Sequence, residues 1–148
     1  MSEIGKAGSG LGELDRVHDV FFDPVGKRIY AADRSNHRVQ IFDENGRYLD
    51  HWPNIVGPSA LRMTEDRKYL WVVDLFTAKF LKFDLNGRLQ TSWGTQGFGL
   101  GAITGGVHDF TTDNEGNLYI ADHSNTVQKL MPREDGNPEQ LIGRLLPY

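Results

Sequence analysis

The sequence predicts an all-β chain, a β-propeller built of four-stranded blades, with about three blades per chain: half of a six-bladed ring. Three observations predict it. A motif recurs at intervals of 41 and 48 residues. Each copy holds short apolar runs separated by turn signals. No stretch keeps a 3.6-residue period over helical length. Units of roughly 40–50 residues with four strands and no helix fit a propeller blade.

The repeat is clearest in two places. Val17-His18-Asp19 leads through Ile29-Tyr30-Ala31-Ala32-Asp33 to Ser35-Asn36 and Val39-Gln40, and Val107-His108-Asp109 leads through Leu118-Tyr119-Ile120-Ala121-Asp122 to Ser124-Asn125 and Val127-Gln128. A weaker copy lies between them, with Pro58-Ser59-Ala60-Leu61, Leu70-Trp71-Val72-Val73-Asp74 and Phe80-Leu81-Lys82-Phe83. The blades are expected at about 13–56, 57–94 and 105–145 of a single domain spanning 1–148.

The elements follow in order. Ile29–Ala32, Leu70–Val73 and Leu118–Ala121 are short apolar runs suited to strands buried on both faces. Arg38-Val39-Gln40-Ile41-Phe42 alternates, as a half-buried strand does. Asn45-Gly46 and Asn86-Gly87 are strong hairpin signals, so Arg47–Trp52 and Arg88–Trp93 return as outer strands. Gly97-Phe98-Gly99-Leu100-Gly101 lacks the strand and helix context of a nucleotide-binding loop and reads as a crossing between blades. Gly8-Ser9-Gly10 lacks the strand–turn–helix setting of a nucleophile elbow. Asp43–Gly46 and Asp84–Gly87 resemble fragments of calcium loops without the closing Glu.

Gly26 to Asp43 and Gly116 to Leu130 resemble NHL repeats. The resemblance covers 17–52 and 107–130 well and 58–93 loosely, because Phe76-Thr77-Ala78-Lys79 replaces the Asn-x-Arg turn. It implies that Asp33, Asn36, Asp122 and Asn125 pin the turn between the two middle strands, and that short polar side chains bonding to nearby backbone do this work. It also implies that His18 and His108 begin innermost strands at one mouth of a central channel, with Ser59 at that place in the middle copy. Within such propellers the chain is similar to the zinc lyase domain of peptidylglycine amidating enzymes and its bacterial relatives. That likeness implies His18 and His108 as metal ligands, zinc as the metal, and Arg34 as the arginine that reaches the active site. The Gly-rich lead-ins at 5–12 and 94–106, and the ending from Lys129 to Gly143, fit it as well. The first metal-binding blade and the catalytic tyrosine of that family have no counterpart here. His37, His51 and His123 have weaker claims. Asp19 and Asp109 could orient an imidazole, hold a metal or pair with backbone.

Composition narrows the function. Sixteen Lys and Arg against 20 Asp and Glu give a net charge of -4, with no basic surplus for phosphate contacts, so nucleic acid is not an expected partner. No run of eighteen apolar residues exists, so no membrane span is expected. With no cysteine there is neither a disulfide framework nor thiolate chemistry. Met1-Ser2-Glu3-Ile4-Gly5-Lys6 has no apolar h-region. The sequence therefore fits a cytoplasmic protein or an exported one whose signal lies outside these residues.

Three blades do not close a ring, since propellers have four to eight. Each terminal blade should bare a flank that a neighbour normally covers, which predicts association. The expectation is a homodimer of two half-rings, working as a module that binds a protein or small ligand. The alternative is a zinc-dependent lyase with its site at the channel mouth.

Overall fold

The computed structural model describes residues 3–98, 101–103, 106–122 and 127–147. Strands β1 (Lys6–Ala7) and β2 (Glu13–Leu14) pair in parallel ahead of the first blade. That blade is β3 (Val17–Asp23), β4 (Arg28–Asp33), β5 (Arg38–Asp43) and β6 (Tyr48–Trp52), paired antiparallel in sequence order. The second is β7 (Pro58–Met63), β8 (Tyr69–Asp74), β9 (Lys79–Asp84) and β10 (Leu89–Trp93). The third is β11 (Val107–Thr112), β12 (Leu118–Asp122) and β13 (Val127–Leu130). The inner strands β3, β7 and β11 are packed side by side in that order, as blades around a common axis require.

The turns explain why the strands stop where they do. Asp43 accepts from the N–H groups of Asn45 and Arg47, both at 2.9 Å, while Gly46 supplies the positive φ of 83° that the tight hairpin needs. Asp84 repeats this with Asn86 and Arg88 at 2.9 and 3.0 Å. The Asp-x-Asn-Gly stretches are thus closed by backbone donors.

Two apolar clusters cement the arc. Phe21, Tyr30, Trp52, Leu61, Leu70, Val72 and Phe83 fill the space between the first two blades. Trp71, Val73, Phe80, Val107, Phe110 and Ile120 fill the space between the second and third. Successive residues of β8 therefore point into different clusters, which is why Leu70-Trp71-Val72-Val73 is apolar without a break.

Two expectations need correction. The third blade has three strands among the described residues, not four: beyond Leu130 come Pro132 and Pro138, which cannot donate to a ladder, and the chain turns away. Its segment Ile142–Leu146 runs back beneath the blades instead. There Trp71 donates its indole N–H to Ile142 at 3.0 Å, and the Leu146 N–H reaches Met63 at 2.9 Å. Nor is β12 buried on both faces. Tyr119 is half-buried and Ala121 exposed, because no blade covers that flank.

Candidate functional site

Each inner strand begins with a register shift against its neighbour, between Val17 and Val20, Pro58 and Leu61, and Val107 and Asp109. Such bulges re-aim side chains, and His18, Ser59 and His108 sit on them. The outcome is a histidine pair. The rings of His18 and His108 lie 5.8 Å apart between centroids at 29°, above the strand that separates them. His18 donates its Nδ1–H to the Ser59 carbonyl at 2.9 Å. A carbonyl only accepts, so the proton is on Nδ1, and Nε2 is the lone-pair nitrogen of the neutral ring. Ser59 Oγ is occupied by the carbonyls of Val107 and Val73.

Next to the histidines lies an ion cluster that the repeat pattern did not single out. Arg62, on the middle inner strand, donates Nη1 to Asp19 at 3.0 Å and Nη2 to Asp109. Its guanidinium stands 5.8 Å over the Phe110 ring. Asp19 also accepts from the Leu61 and Val20 N–H groups, both at 2.8 Å, and Asp109 from Phe110 at 2.7 Å. One arginine thus joins the inner strands of all three blades. The carboxylates beside the two histidines are engaged by Arg62 and backbone. The available signal was a lone charge inside the apolar run Pro58–Met63, where the first copy has Phe21 and the third Thr111.

Arg34 lies in the 3-10 turn Arg34–Asn36 that follows β4. It is half-buried and makes no ion pair among the described residues. Val17 pairs with Asp33, so this turn stands at the same end of the blade as His18. No hydrogen bond or ion pair joins Arg34 to the histidine pair among the described residues.

The motif residues around Arg34 hold the fold. Asp33 is fully buried. It accepts from Asn36 Nδ2 at 2.9 and 3.0 Å, Arg38 Nε at 2.8 Å, Gln40 Nε2 at 2.9 Å and the Asp15 N–H at 2.7 Å. Arg38 then donates to the carbonyls of Gly10 and Glu13, which ties the Gly-rich lead-in to the blade. Asp122 accepts from Gln128 in the same way. Asn125 and His123 lie outside the described residues. His37 is exposed, with φ of 56° and Nδ1 on the Val56 carbonyl. His51 meets the Tyr48 hydroxyl at 2.9 Å. Groups of three or more metal-capable side chains are absent among the described residues, and no helix there is long and apolar enough to cross a membrane.

The chain matches no family model. It is 44% identical over 75 residues to NHL repeat-containing protein 3 of Mus musculus, a stretch covering 48% of this chain and 21% of that protein. It is 52% identical over 46 residues to Protein lin-41 of Caenorhabditis elegans, covering 31% of this chain and 4% of that one. These are NHL-type blades. The chain spans about a fifth of the length of the first of these relatives. Among solved structures, a luciferin-regenerating enzyme superposes with a TM-score of 0.56 over 90% of this chain and 44% of its own, at 14% identity. The hydrazine synthase of Kuenenia stuttgartiensis gives 0.56 over 79% and 33%, also at 14%. At that identity the likeness shows the NHL-type arc as a propeller fold and nothing of its chemistry.

Proposed function

We propose that this chain is an NHL-type propeller module that binds a protein or small ligand at the channel mouth and completes its ring by pairing with a second copy. The observation that carries the binding site is the convergence of His18 and His108 at 5.8 Å. Arg34, without a carboxylate partner among the described residues, stands at the same end of the first blade. Arg34 is able to grip a ligand carboxylate by two parallel bonds, and the Nε2 lone pair of His18 suits a ligand donor beside it. The bare flanks of the terminal blades support ring closure.

Two measurements test this. Light scattering should give twice the chain mass, and a chain-mass particle would overturn the pairing. A ligand found by thermal-shift screening of peptides and carboxylates should lose affinity in His18→Ala and Arg34→Ala. Unchanged affinity in both variants would overturn the site.

The same histidines favour a second reading, a zinc-dependent lyase similar to the peptidylglycine amidating lyases. Bound zinc would act there as a Lewis acid. A catalytic zinc takes three protein ligands. One chain supplies two ring nitrogens, and Asp19 and Asp109 are committed to Arg62, so a single copy does not fit that centre. A ring of two copies would bring four histidines to one channel. Elemental analysis of protein purified without added metal separates the readings: near-stoichiometric zinc, lost in the His18→Ala, His108→Ala double variant, supports the lyase.

A further inference from the structure

The lead-ins to the first and third blades are copies of one another. Gly5-Lys-Ala-Gly-Ser-Gly-Leu-Gly-Glu-Leu14 aligns without a gap with Gly94-Thr-Gln-Gly-Phe-Gly-Leu-Gly-Ala-Ile103. Their described residues are also held alike. The Gly12 N–H and Glu13 carbonyl are held by Gln40 at 2.9 and 2.5 Å. The Gly101 N–H and Ala102 carbonyl are held by Gln128 at 3.2 and 2.9 Å. In the third blade this lead-in departs from β10, the outer strand of the blade before it. In sequence, residues 1–4 ahead of the first lead-in align with residues 90–93 of β10.

Ile4 already sits where an outer-strand residue of a preceding blade sits. A β-carbon on Gly87, in the β9–β10 hairpin, would come within 2.3 Å of Trp52 from the blade before. A β-carbon on Gly46, in the matching β5–β6 hairpin, would come within 2.8 Å of Ile4. Ile4 thus continues, at the start of the arc, the interface that Trp52 makes between the first two blades. At the other end of the arc, β13 is the last strand of its sheet among the described residues, and Val127 is 69% exposed.

We infer that Glu3 and Ile4 of one copy add a fourth strand to the described three of the third blade of a second copy. The inference rests on the ring closure proposed above and adds its chemistry: main-chain strand addition at an open edge. It also fixes a register. Trp93 opposes Phe80 and Trp52 opposes Val39. Val127 holds the place of Phe80 and Val39 in its blade, so Ile4 of the second copy opposes Val127, and Glu3 opposes Gln128.

The chain has no cysteine, so introduced thiols report this pairing alone. Paired antiparallel residues bring β-carbons within disulfide reach. Under mild oxidation, the Ile4→Cys, Val127→Cys variant should run at twice the chain mass on a denaturing, non-reducing gel. Each single variant should run at chain mass. Mixing the two single variants should also yield the linked pair. The Glu3→Cys, Gln128→Cys variant provides a second pair in the same register should the first fail to fold. If the native protein has twice the chain mass but neither pair cross-links, strand addition is overturned while self-association stands. A native particle of chain mass overturns both.

Discussion

The strands that open the first and third blades carry the same letters, Val-His-Asp, 90 residues apart, yet they meet opposite surroundings. On the face toward a preceding blade, Val107 and Phe110 are 0% and 2% exposed, because the second blade lies against them. Their counterparts Val17 and Val20 are 46% and 56% exposed. The lead-in covers part of that flank, enough to bury Ala31, Gln40 and Phe42 completely or nearly so, but it leaves a stripe through Val17, Val20 and Phe22. On the opposite face the contrast reverses. Tyr30 and Ala32 are fully buried against the second blade, and the matching Tyr119 and Ala121 are not. Equivalent sequence positions acquire different energetic weight from their neighbours alone.

The sharpest way to break the symmetry is to truncate one position in each copy. Phe110→Ala opens a cavity between the second and third blades and should cost about 3–5 kcal/mol. Val20→Ala removes exposed methyl groups and should cost less than about 1 kcal/mol in a single copy. Urea denaturation at low protein concentration measures both. If rings form, the Val20→Ala cost should grow with concentration, because the flank is then covered.

Arg62 spans the two copies directly, since its partners Asp19 and Asp109 are equivalent residues. Removing a buried charge from its partners costs about 3–5 kcal/mol where those stay buried. Here the Asp19 and Asp109 side chains are 21% and 52% exposed, so water takes up part of the loss, and Arg62→Met should cost about 2 kcal/mol. Asp19→Asn should destabilise more than Asp109→Asn in the same denaturation assay, because Asp19 also holds the Leu61 N–H of the neighbouring blade.

How much of this was legible beforehand differs by residue. The period and the hairpin glycines could be read directly from the residues, and the turn-pinning roles of Asp33 and Asn36 followed from the NHL resemblance, since the bonds among Asp33, Asn36, Arg38 and Gln40 lie within one turn and its flanking strands. That His18 and His108 share one mouth followed from the family pattern, since two repeats of spacing bring equivalent positions to one axis. Arg62 was not legible: its meaning comes from Asp19 and Asp109, more than forty residues away on either side, and it occupies a slot filled by Phe21 and Thr111 in the other copies. The three-stranded third blade was missed for a related reason. Residues 131–140 were read as part of a blade ending, but whether a strand forms there depends on partners beyond the segment, and its prolines favour the tail.

The equivalent aspartates Asp23, at the end of β3, and Asp113, just after β11, extend the comparison to pH. Asp23 accepts Nη1 of Arg67 from the second blade at 2.7 Å. Asp113 has no such neighbour in its described contacts and is served by its own blade. The Asn117 side chain first, then the Asn117 N–H, the Tyr119 hydroxyl and the Glu115 N–H, outweigh burial and bring its carboxyl down from 3.8 to about 2. A depressed carboxylate contributes stability that is present above its unfolded value and lost as pH falls through its folded one. Asp113→Asn should therefore lower the melting temperature at pH 6, and the gap from the parent protein should close between pH 4 and 2.

The smallest effect discriminates most finely. Tyr30 and Tyr119 are the same residue of the repeat, one hydroxyl sealed in and one at the open flank. Tyr119 donates to Asp113 at 3.1 Å. The Tyr30 hydroxyl is buried with no hydrogen-bond partner among the described residues, since the second blade packs over it with apolar groups. A buried hydroxyl without a partner carries a desolvation cost that Phe does not. Tyr30→Phe should thus be neutral or stabilising within about 0.5 kcal/mol, whereas Tyr119→Phe gives up a net hydrogen bond of about 1 kcal/mol. Paired thermal melts at neutral pH measure the difference. The ordering would invert if a neighbouring blade supplied Tyr30 with an acceptor.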